Sequence, residues 1–151
     1  MTPDQIERET LIAAPVERVW TVLTEAEHIG GWFADAGAEI DLRPGGTMVL
    51  NWTEYGTSRA RVVAVEPHTR FSYQWAPFKD PGGEEPVEGN STLVEFTLTP
   101  EGDGTRLRVV ETGFAALVAS DEQRQGNYDD NVGGWKTVLG RLTDHAQRVA
   151  A

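Results

Sequence analysis

The sequence predicts an α+β domain, in which a curved antiparallel sheet of about seven strands wraps a long C-terminal helix and two short helices follow the first strand. Three observations predict it. Apolar residues recur at helical spacing through the last part of the chain. Short runs before it alternate apolar and polar residues. Those runs follow one another across brief turn signals, so consecutive strands pair antiparallel.

Residues 6–13 can form the first strand. Ala14-Pro15-Val16 reads as a helix start with proline at the first helical position. Val16, Val19, Trp20 and Leu23 then keep helical spacing. A second short helix covers Ala26 to Phe33, interrupted by Gly30-Gly31. A strand over 38–42 leads to the Pro44-Gly45-Gly46 turn. Met48, Leu50 and Trp52 alternate with Val49, Asn51 and Thr53, and residues 58–66 form the next strand, ended by Pro67. Phe71, Tyr73 and Trp75 share one face, as do Val94, Phe96 and Leu98. Pro100-Glu101-Gly102-Asp103-Gly104 is a hairpin signal, after which Leu107, Val109 and Glu111 alternate with Arg106, Arg108 and Val110.

In residues 127–149, Tyr128, Val132, Trp135, Leu139, Leu142, Ala146 and Val149 form one apolar stripe at spacings of four and three. Asp129, Asp130, Lys136, Arg141 and Asp144 lie opposite. Gly133 and Gly134 each cost a helix about 0.5–1 kcal/mol relative to alanine. Glycine there predicts that a sheet, a helix or a ligand comes close to the backbone. The stretch Ala76 to Asn90 is rich in Pro, Gly and Glu, has no apolar period, and is a candidate lid. Nothing repeats and no composition shift marks a second domain, so residues 1–151 read as one domain.

Composition excludes several functions. The net charge of −11 argues against nucleic acid or an anionic membrane as partner. There are no cysteines, so disulfides, thiolate catalysis and Cys-based zinc sites are excluded. No run approaches a membrane span, and Met1 to Glu9 lacks a signal-peptide core, so a cytoplasmic location is the default expectation. Five tryptophans are many for this length and can fill a core or line an apolar pocket.

The segments Ala14-Pro15-Val16-Glu17-Arg18-Val19-Trp20, Gly31-Trp32-Phe33, Pro44-Gly45-Gly46, Gly104-Thr105-Arg106-Leu107, Glu111-Thr112-Gly113-Phe114 and Gly134-Trp135…Leu139…Leu142 come in an order that resembles the START-like and Bet v 1-like helix-grip superfamily. The chain is most similar to the branch named after the C-terminal domain of the activator of Hsp90 ATPase. The resemblance covers roughly residues 6–149. It implies a seven-stranded sheet curled around the final helix, two short helices closing one end, and a mostly apolar cavity between sheet and helix. In the superfamily that cavity holds lipids, sterols, polyketides or hormones, and a minority of members are cyclases, aromatases or hydroxylase components. The namesake carries a separate N-terminal domain that helps to grip the chaperone. This chain reads as the single helix-grip unit, which argues against Hsp90 as its partner.

Strand alternation then selects the candidate ligand-binding residues: Leu50, Trp52, Phe71, Tyr73, Trp75, Phe96, Val109 and Glu111 from the sheet. Tyr128, Val132, Trp135 and Leu139 face them from the helix, and Trp32 and Phe33 belong near the mouth. Whether these side chains line a cavity or simply pack is left open. Glu111 falls on the inner face by parity. A buried carboxylate must pair or become protonated, and Arg59 or Arg61 are the cations in range, depending on register. The alternative is a strand-end position partly in solvent.

His28, His68 and His145 are isolated in sequence and lack metal-ligand spacing. His28 and His68 read as surface groups and His145 as outer-face, and neither metal nor cofactor is expected. Three functions compete. The preferred one is binding of an apolar or amphipathic small molecule between sheet and helix. The second is an enzyme acting on such a ligand, with Glu111, Tyr73 and Tyr128 moving protons. The third is a protein-interaction or co-chaperone module. A homodimer fits such a domain, although no residue requires it.

Overall fold

The two periodicities of the sequence become a sheet and a helix packed face to face. The computed structural model describes residues 3–53, 56–75 and 90–149, apart from the side chain of Val149. The candidate lid therefore lies almost wholly outside the described residues, as does the inward position expected of Val149. Strand β1 (Gln5–Ile12) precedes helices α1 (Val16–Thr24) and α2 (Ala26–Trp32). Strands β2 (Ala38–Ile40), β3 (Thr47–Trp52), β4 (Gly56–Glu66), β5 (Arg70–Trp75), β6 (Thr92–Glu101) and β7 (Gly104–Thr112) follow. A 3-10 turn at Phe114–Ala116 leads into helix α3 (Asp121–Val149).

The seven strands form one antiparallel sheet in the order β1-β7-β6-β5-β4-β3-β2. All of β2 to β7 is a meander, and β1 closes onto β7, so the first and last strands lie side by side. That leaves β1 at one edge of the sheet and β2 at the other. Alternation chooses the inner face as expected. Phe71, Phe96 and Val109 are each 1% exposed and Leu50 and Leu107 are fully buried. Each such side chain contributes about 1.5–3 kcal/mol by leaving water. The outer face is solvated and carries cross-strand ion pairs, Arg106 with Glu9 and Glu101, Arg108 with Glu7, and Arg70 with Glu95. Pairs this exposed contribute at most about 1 kcal/mol each.

Helix α3 begins at Asp121, earlier than the apolar stripe that announces it. Its start is set by a capping box. The Gln123 amide donates to the Ser120 hydroxyl, and the Ser120 amide donates back to the Gln123 side chain, each at 3.1 Å. Tyr128, Val132, Trp135, Leu139, Leu142 and Ala146 then turn to the core. The helix lies against β1, α1 and α2. The gap left toward β3–β5 is closed by aromatic rings. Pro15 is the N-cap of α1 rather than its first helical residue, with an extended ψ of 155°.

Two sets of glycines behave differently. A Cβ on Gly46 meets the Asp41 carbonyl oxygen at 2.0 Å, so only glycine fits where the Pro44-Gly45-Gly46 turn folds back on its own backbone. At Gly133 and Gly134 the expectation that a sheet or a helix comes close is corrected. Among the described residues nothing lies within 4 Å of a Cβ at either position. Gly46→Ala should therefore destabilise the domain by about 1–3 kcal/mol through overpacking, read as a lower urea midpoint at unchanged slope. Gly133→Ala should raise the midpoint by about 0.5–1 kcal/mol, the helix-propensity gain with no steric cost.

Candidate functional site

The parity of β7 sends Leu107, Val109 and Glu111 to the same inner face, and Glu111 is fully buried. Its cross-strand neighbours are Ile6 on β1 and Val94 on β6, both buried and apolar. A carboxylate placed there needs partners, and it has four. Oε1 accepts from the Trp135 indole N–H at 2.8 Å and the Asn131 amide at 3.0 Å. Oε2 accepts from the Trp75 indole N–H at 2.8 Å and the Thr92 hydroxyl at 2.5 Å. An ionised carboxylate offers about four lone-pair sites, so its acceptor capacity is filled.

The expected cationic partner is absent. Arg59 and Arg61 are exposed on the opposite face of β4, and four neutral donors take that place. The alternative of a strand-end carboxylate partly in solvent is also corrected. Asn131 and Thr92 were missed by the sequence reading, although both were in phase. Asn131 precedes Trp135 by four residues on α3, and Thr92 continues the inward Val94–Phe96–Leu98 series.

Beside this carboxylate stand four rings. The Phe33 ring lies 5.4 Å from Trp52, 5.7 Å from Trp75 and 5.9 Å from Trp135, centroid to centroid. Trp75 stands 6.2 Å from Trp135 and 6.4 Å from Trp52. Trp52 is fixed by its indole N–H donating to the Phe33 carbonyl at 3.1 Å. These rings largely fill the space expected between sheet and helix. What remains is an apolar cavity of about 70 Å³ lined by Phe33, Trp75, Asn131, Gly134, Trp135 and Val138. At about 30 Å³ per molecule it has room for about two waters.

The other candidate residues are distributed around this centre. Trp32 is a brace: it stacks on Phe33 at 5.0 Å and donates its indole N–H to the Val22 carbonyl at 2.8 Å. Leu50, Phe71, Phe96, Val109 and Leu139 are core. Val132 is half-buried beside it, and Tyr128 packs edge-on to Phe114 and donates to the Gln5 carbonyl, away from the cavity. Tyr73 is 2% exposed and its hydroxyl has no hydrogen-bond partner among the described residues. Burial first, and the negative charge of Glu111 second, push that phenol well above its ordinary value.

The histidines depart from the sequence reading. His145 turns to α2 instead of the outer face, and its Nε2 lies 3.1 Å from Nδ1 of His28. Gly31 makes room for it, since a Cβ there meets the His145 ring at 2.6 Å. Burial, then the neighbouring His28 and Arg148, hold His145 below its ordinary pKa. Beside this contact runs an open groove of about 470 Å³ lined by Gly31, Arg141, Asp144, Gln147 and Arg148. Among the described residues Glu25, Glu27 and His28 bring donor atoms within 4.8 Å of one another, two of them on exposed side chains. No helix among the described residues is long and apolar enough to cross a membrane.

A model of the family described as "Activator of Hsp90 ATPase homolog 1-like protein" matches residues 13–147. Among solved structures, protein MLL2253 from Mesorhizobium loti is similar at 27% identity and a TM-score of 0.76, over 95% of this chain and 97% of that one. CalU16 from Micromonospora echinospora is similar at 24% identity and a TM-score of 0.69, over 94% and 75%. DynU16, a protein of the dynemicin biosynthetic locus, is similar at 20% identity and a TM-score of 0.73. That match takes in 95% of this chain and 47% of DynU16, so the chain spans about half its length. Comparison with the curated proteins gives no match.

Two measurements check the site. Glu111→Gln puts an amide N–H₂ among four donors, and should lower stability by about 1–3 kcal/mol. The near-UV circular dichroism of Trp75 and Trp135 should change with it. The His145 pKa is depressed in the folded state, so its contribution is complete above pH 6.5 and is lost as pH falls. The melting temperature should drop as pH falls below that value, and His145→Gln should flatten that part of the profile.

Proposed function

This chain belongs to the activator of Hsp90 ATPase homolog 1-like family, and we propose that it binds an apolar or amphipathic small molecule at the aromatic opening between the sheet and α3. The observation that carries this reading is the Tyr73 hydroxyl, buried beside the ring cluster and without a partner among the described residues. An unsatisfied buried polar group costs about 1–3 kcal/mol. A ligand atom that bonds it recovers that cost. The rings supply the rest of the chemistry, since pockets of this kind are mostly apolar with a few placed polar groups.

The cavity is smaller than such a ligand, so entry requires rings to turn. Phe33 and Trp52 are the candidates, because they meet at the end of α2 and the end of β3 and neither donates to Glu111. Side-chain rearrangement at a binding surface is common even where the backbone stays fixed. Ring-to-ring contacts are then exchanged for ring-to-ligand contacts of the same kind, which keeps the cost low. The likeness to DynU16 agrees with this reading, because a biosynthetic locus is a setting for proteins that handle small molecules. Saturation of Glu111 by four donors argues against its acting as a general base.

The reading makes a paired prediction. Tyr73→Phe should stabilise the free protein by about 1 kcal/mol, because it deletes an unsatisfied hydroxyl. The same change should weaken binding of an apolar ligand, followed by tryptophan fluorescence during titration with Nile red and by native mass spectrometry of co-purified material. A destabilised Tyr73→Phe protein with unchanged binding sinks the proposal. Gly134→Val, which walls off the cavity from the helix side, should reduce dye binding while the helix remains intact.

A further inference from the structure

Glu111 is fully buried, and its four hydrogen-bond partners are neutral. Among the described residues the carboxylate thus has its hydrogen bonds but no cation bonded to it. Two of its donors are indole N–H groups, and that fixes how the tryptophans stand. Trp75 and Trp135 present their positive edges to the carboxylate and keep their electron-rich faces for the cavity and for Phe33. Donation to an anion also polarises each indole toward its ring. Phe33 completes the aromatic lining of the cavity, and Trp52 stands perpendicular to Phe33 just outside that lining. Negative potential from the faces and from the buried charge therefore coincide in one small, water-poor space. Such a space attracts organic cations and repels anions.

Resting on the binding reading above, we propose that the ligand of this site carries a cationic head, an amine or a quaternary ammonium, held against Phe33, Trp75 and Trp135 beside Glu111. A cation there touches ring faces directly and meets the carboxylate through the indoles, without displacing any of the four hydrogen bonds. An apolar tail then extends over the outer rings. The opening fits this polarity. Its rim is aromatic, and Gly134 on α3 leaves the backbone side open.

The test uses three surfactants with one tail and different heads, dodecyltrimethylammonium, dodecyl maltoside and dodecyl sulfate, each below its micelle concentration. Binding is read by tryptophan quenching and calorimetry. The cation should bind about tenfold more tightly than the neutral analogue, and the anion least. The acidic surface also attracts cations, so the series is repeated at about 0.5 M salt, where exposed charges are screened within a few ångströms. A preference that survives salt and collapses in Glu111→Gln supports the inference. Phe33→Leu is the second variant, because Phe33 lines the cavity and lies outside the Glu111 network. It should lower cation affinity and leave the neutral analogue bound. Equal binding of all three heads, or a preference lost in salt, overturns the cationic head and leaves the binding reading standing. Failure of all three to bind overturns both.

Discussion

One buried carboxylate ties the structure together. Glu111 on β7 draws a donor from β5, one from β6 and two from α3, so a single side chain links three strands to the long helix. Removing any one donor leaves the others, but removing the acceptor orphans four groups at once, which is why the cost is asymmetric. The helix is otherwise held by apolar contacts that allow sliding. Hydrogen bonds from Asn131 and Trp135 to one fixed point set its register against the sheet.

That anchor also explains the aromatic interior. Indoles are large apolar groups with one polar atom, so they can fill a core while serving a buried charge. Trp75 and Trp135 do both. Their orientation is imposed by the carboxylate, and Phe33, stacked 5.9 Å from Trp135, takes its place from them. The result is a densely filled space where a wide cavity was expected. A filled space built from rings that meet at the surface is easier to open than one built from interlocked aliphatic side chains, because a ring swings as a unit about two torsions. Behind them lies the Tyr73 hydroxyl, buried and without a partner among the described residues.

The opposite end of α3 follows different rules. There His145 meets His28 across Gly31, and Gln147 accepts from the Ala13 amide at 3.0 Å. These contacts tether the last turns of α3 to α2 and to the end of β1. They are polar and partly open to water, whereas the Glu111 end is dry.

The sequence by itself determined the α+β class, the order of the elements, the inward residues of β3, β5, β6 and β7 and the apolar stripe of α3, because periods of two and 3.6 residues are local properties of the chain. It placed Glu111 on the inner face for the same reason. It did not reveal the four donors together, since Trp75, Thr92, Asn131 and Trp135 lie up to 60 positions apart and meet only when β5, β6 and α3 converge on β7. It misjudged Arg59 and Arg61 because partner choice depends on face and strand order, which parity along one strand cannot supply. It placed His145 outward because the helix stripe says which face is apolar, but not that α2 packs beside that face. Whether the aromatic side chains enclose space or fill it was decided by tertiary structure alone, because ring packing depends on rotamers that neighbours from five elements fix together.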